Sequence, residues 1–170
     1  MITSHSQQPR VERPLGSQYN LTMPHLLVFA PSQKAIIDTL DNSMSLIGIM
    51  HGFTVHRQED TPEEAMPPNA VIPMKWAVGT VWLRSPDDGE KTFEQRLEII
   101  SPNNTRFETD IVQPFKMTHR THHIAMSTNS FPVGVPGEYK VVISLREVGG
   151  EWKMVAEYPI EVLHDLKKEA

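Results

Sequence analysis

The chain contains no cysteine. Disulfides, a thiolate nucleophile and a cysteine-held zinc are thereby excluded. Aromatic residues are scarce at 7% of the sequence, with three Trp. No apolar stretch approaches the roughly 18 residues that a membrane-spanning helix needs. Positive charge is in deficit: 16 Lys and Arg stand against 21 Asp and Glu, a net charge of -5. Nucleic acid and anionic membrane both demand surplus positive charge, so neither is expected as a partner. There is no Gly-x-Ser-x-Gly elbow, no Gly-rich phosphate loop and no His-Glu-x-x-His pair. Catalytic residues and cofactors are therefore not expected.

What is present suits one globular domain. The chain has 170 residues, 39% hydrophobic and 22% charged, enough to bury a core. Its 14 Pro stand mostly between apolar runs, which favours many turns over long helices. The first ten residues hold no apolar core of the kind a secretion signal has. Together with the lack of disulfides, this points to a cytoplasmic setting.

The organisation follows from period-two alternation. Residues 1–22 are polar and aperiodic and read as a flexible tail, 23–164 as the domain, and 165–170 as a charged tail. The clearest strand follows Pro136-Gly137, with Tyr139, Val141, Ile143 and Leu145 on one face and Lys140, Val142 and Ser144 on the other. His25–Ala30 and Lys34–Asp38 read as an opening strand broken at Pro31. Ile47, Ile49, His51, Phe53 and Val55 alternate next, which makes His51 a core histidine. A long Pro-rich loop spans 56–72 and carries the acidic run Glu59–Glu64.

Met74–Arg84 is apolar on both faces and reads as a central strand. Phe93, Gln95, Leu97 and Ile99 face inward while Glu94, Arg96 and Glu98 face water. Thr105–Ile111 and Thr121–Ser127 follow, with a bend at Pro114 between them. The last strand places Trp152, Met154, Ala156, Tyr158, Ile160 and Val162 on one face. Trp76, Trp82 and Trp152 are expected in the core. The sum is an all-β, antiparallel, immunoglobulin-like sandwich of about seven to nine strands, in which the early tyrosine ties a corner through its hydroxyl.

Several of these segments resemble an uncharacterised family of small bacterial immunoglobulin-like domains. They are the opening apolar run, Ser45–Ile49 with Gly52–Val55, the Trp-bearing strand, Ser101-Pro102-Asn103 and Gly137-Glu138-Tyr139. The resemblance covers about Pro24 to Val162. It implies the sandwich and assigns no activity, cofactor or binding residue.

Chemistry is densest at Lys116-Met117-Thr118-His119-Arg120-Thr121-His122-His123. Imidazoles at this density suggest zinc, with His119, His122 and His123 as candidate ligands. On a strand, however, His119 and His123 share a face that His122 does not. The second reading is a partner-binding patch of Lys116, His119, Arg120, His122 and His123, since no Asp or Glu occurs between Ile111 and Gly137. It would gain charge as pH falls through about 6.5. Its expected counterpart is an anionic protein partner, including the Glu59–Glu64 run of the same or another copy.

The leading expectation is a non-enzymatic cytosolic interaction or assembly module that can self-associate. The alternatives are a small metal-dependent hydrolase with its site near His119–His123, and a sandwich with a small-ligand pocket between its sheets.

Overall fold

The computed structural model describes residues 23–57 and 66–166. The 1–22 tail, the Glu59–Glu64 run and the last four residues lie outside that range. Among the described residues there is no helix, and so none long and apolar enough to cross a membrane. The strands are β1 (His25–Ile37), β2 (Met44–Ile49), β3 (Gly52–Arg57), β4 (Val71–Leu83), β5 (Thr92–Ile100), β6 (Arg106–Lys116), β7 (Thr121–Pro132), β8 (Gly137–Glu147) and β9 (Lys153–Leu166). They form a four-stranded sheet, β2-β1-β4-β7, and a five-stranded sheet, β3-β9-β8-β5-β6.

The expected all-β sandwich is therefore observed, with one correction. β3 runs parallel to β9, while every other neighbouring pair is antiparallel. The cause is a change of sheet. Ile47 to Val55 do not form one strand: the chain leaves β2 at Met50-His51 and enters the opposite sheet as β3. Gly52 makes the crossing possible, because a Cβ there would sit 2.6 Å from the Glu161 carbonyl oxygen.

Pro31 does not break the opening strand. β1 runs through it and changes partner nearby: His25–Ser32 pair with β4, and Ser32–Ile37 pair with β2. The Pro31 carbonyl accepts the Met50 N–H at 3.0 Å. Its missing N–H falls on the same side, where the β2 ladder ends. Pro114 likewise sits within β6, opposite Glu94, on the edge strand of its sheet. A proline ring is tolerated there because the missing donor has no ladder to serve.

β4 is central, between β1 and β7. Its inner face brings Trp76, Val78, Thr80 and Trp82 into the core, all fully buried. Its outer face is closed as well. Leu46 and Met44 of β2 lie against Gly79 so tightly that a Cβ there would come within 2.3 Å of Leu46 Cδ2. Phe131 joins the layers through edge contacts with Trp76 at 5.4 Å, Phe53 at 5.2 Å and Tyr139 at 5.7 Å. Tyr139 Oη accepts the Val135 N–H at 3.1 Å. That is the expected corner: a phenol holds the turn before its own strand.

Ile47 and Ile49, expected on the inward face, are exposed. In the last strand two more residues depart from the alternation. Trp152 is half-buried rather than core, and Met154 is 64% exposed. Both precede a register shift at Ile143/Ser144, which turns the start of β9 to the outer face. Glu98 faces outward as expected but is buried, with Arg96 Nη2 at 2.9 Å and Arg106 Nη1 at 3.5 Å.

Candidate functional site

β6 and β7 belong to opposite sheets, so the segment joining them crosses one end of the sandwich. The basic stretch lies there, but its members separate. Lys116 ends β6 opposite Thr92. His119 precedes the strand and is exposed, so it shares no face with His123. His122 and His123 are successive residues of β7 and take opposite faces. His122 points inward, its ring stacked on Phe115 at 5.0 Å and 10°, and Phe115 stacks in turn on Trp82 at 6.1 Å. His123 lies outward opposite Val81, with its Nδ1 buried and without a hydrogen-bond partner among the described residues. The imidazoles expected as zinc ligands thus do not converge. Among the described residues no three His, Asp or Glu are placed to hold a metal ion.

The patch nevertheless gains a member that sequence reading missed. The Arg84 N–H donates to the Arg120 carbonyl at 2.9 Å, which sets a second arginine beside the first. Only the β4–β7 register puts them together. Their positions 36 residues apart in the chain give no such signal.

His122 is held below the ordinary histidine range, first by burial and then by the nearby His123 and His119. Its unfolded value lies near 6.5. Between the lowered folded value and that figure, the unfolded chain takes up a proton that the folded ring refuses. This contribution leaves stability undiminished above about pH 6.5 and lowers it as pH falls through the window. His122→Phe keeps the ring stack and removes the titration. The variant is expected to lose less Tm than the parent between about pH 7.5 and 5. Parallel Tm–pH curves for the two proteins would count against this assignment.

β7 is also a sheet edge. Its backbone pairs with β4 on one side, and among the described residues nothing pairs with the other. The Arg84–Arg120 hydrogen bond fixes the phase: Arg120 turns its polar groups towards β4. By strand alternation, Thr121, His123, Ala125 and Ser127 turn theirs away. The strand is twelve residues long and carries no Asp, Glu, Lys or Arg. The other edges are blunted. β6 has charges at Arg106, Glu108, Asp110 and Lys116 together with Pro114. β2 and β3 are six residues each, and β2 bears Gly48 at φ 64°.

His51 is exposed, not a core residue. Its Nδ1 lies 2.9 Å from Tyr158 Oη, at the mouth of a cleft of about 560 Å³ lined also by Glu138, Pro159 and Glu161. Between the sheets themselves, Trp76, Trp82, Phe93, Phe131 and Tyr139 fill the space. No known family model and no curated protein matches the chain.

Proposed function

We propose that this chain is a non-enzymatic, immunoglobulin-like interaction or assembly module that engages protein through the free edge of β7. The observation that carries the reading is a twelve-residue edge strand with no charge, no bulge of its own and no proline before its last residue. Edges of that kind recruit another strand unless something blunts them. Main-chain hydrogen bonds supply the affinity, and the side chains on alternate faces supply selectivity. The basic end at Arg84, Lys116, His119 and Arg120 lies beside the start of this edge. The immunoglobulin-like assignment rests on the strand orders and on the tyrosine corner at Tyr139. A cytosolic setting fits the absence of cysteine.

The test is affinity capture with two baits, the full chain and Ser127→Pro. The proline removes an N–H that points away from β4, so the internal ladder is kept while the edge is blocked. A protein held by the parent and lost by the variant is the expected result. Equal capture by both baits, or no bound protein of any kind including the chain itself, counts against the reading.

A further inference from the structure

The edge of β7 is matched to itself. We infer that two copies of the chain join β7 to β7 antiparallel about a two-fold axis at Ile124, which makes one continuous eight-stranded sheet. This rests on the module reading and names its partner.

The phase of the strand restricts the register, and centring on Ile124 is one register that it allows. Thr121, His123, Ala125 and Ser127 face outward with their backbone groups, so a two-fold pairing must oppose members of this set. Centring on Ile124 sets Thr121 against Ser127 of the second copy and His123 against Ala125, and the reverse pairs follow by symmetry. About eight main-chain hydrogen bonds close over this length. On the inner face Ile124 meets its own counterpart and His122 meets Met126, all within the apolar layer.

Symmetry and charge decide between the self-pairings. A parallel pairing within one continuous sheet would relate the copies by translation, leave a further edge open and bring the two Arg120 flanks together, and like charges side by side are destabilising. The antiparallel one opposes no histidine to another and sends the two basic ends to opposite ends of the joint. It also explains why β7 can do without the edge lysines and prolines found on β6: an edge that is covered in the assembly needs no blunting.

Sedimentation equilibrium of the full chain tests this. The expected result is a monomer–dimer equilibrium between about 10 µM and 1 mM, since one strand pair makes a small interface. Ser127→Pro and, independently, Ala125→Lys are expected to weaken dimerisation at least ten-fold. Ala125 is exposed, so a lysine there sets one ammonium group from each copy at diagonal positions across the joint, where they repel. A parent that stays monomeric throughout overturns the dimer. If that parent still captures another protein through β7, the module reading stands without it. A dimer that persists in both folded variants also overturns the inference and places the interface elsewhere.

Discussion

Gln95→Leu is expected to lower unfolding free energy by about 2–5 kcal/mol, from the burial of two unsatisfied donors. Gln95 is fully buried at the centre of the sandwich. Its Oε1 accepts the Trp82 indole N–H at 2.7 Å and the Thr80 hydroxyl at 2.8 Å. Its Nε2 lies 3.5 Å from Met126 Sδ. β4 and β7 belong to one sheet and β5 to the other, so one amide links the two layers across an otherwise apolar interior.

Leucine fills nearly the same volume, so the loss is not a cavity effect. It arises because the indole N–H and the hydroxyl remain in an apolar core with no acceptor. The control is the triple variant Gln95→Leu, Thr80→Val, Trp82→Phe. Removing both partners together is expected to recover part of the loss, offset by the smaller ring at position 82. Urea unfolding at constant m measures both. A Gln95→Leu cost under about 1 kcal/mol, or a triple variant no better than the sum of its parts, would mean that the amide does not hold the layers.

How much of this was open to sequence reading depends on what each residue's neighbours are. Tyr139 follows a Pro-Gly turn and leads an alternating strand, so its corner is a local fact and was legible. The centrality of β4 was legible because both of its faces are apolar. Gln95 was correctly placed on the inner face, yet its role was hidden, since the donors it satisfies lie thirteen and fifteen positions away in another sheet. His51 failed for a related reason. Alternation continues smoothly from Ile47 to Val55, but the chain changes sheets at Met50-His51 and resets which face is inward. The histidine stretch is legible in part: that His122 turns away from its neighbours follows from strand alternation, whereas the lack of any shared face between His119 and His123 depends on where β7 begins. The β7 edge is the instructive case. That residues 121–132 lack charge could be read from the sequence, but that they end a sheet could not, because edge position is a property of pairing and not of composition.

The outer face of the five-stranded sheet gives the second large effect. Arg96→Ala is expected to cost about 2–4 kcal/mol, somewhat below the loss on breaking a fully buried ion pair because one partner remains. Glu98 is held there with only 3% of its side chain exposed, against Arg96 Nη2 at 2.9 Å. Its remaining cation is Arg106 at 3.5 Å, which is 62% exposed. With Arg96 gone, a buried carboxylate depends on a single, solvated guanidinium.

Arg96 also carries part of the packing. Its Cζ lies 4.6 Å from the Trp152 ring centroid, and that of Arg146 lies 4.3 Å away. Arg146 is bound in turn to Glu94 at 2.6 Å. Truncation at Arg96 therefore removes a stacked plane as well as a charge, and Trp152 loses one of the covers that keep it half-buried. Arg96→Lys separates the two contributions, since it keeps the charge and gives up the planar stack. It is expected to fall between Ala and the parent in urea midpoint, with Trp152 fluorescence shifted red in both variants. Pairing Arg96→Ala with Glu98→Ala completes the argument: the double variant is expected to cost less than the sum of the singles, because the stranded charge is gone. Additive losses would show instead that Glu98 draws its stability from Arg106 and the backbone, and that Arg96 serves only as a cover for the indole.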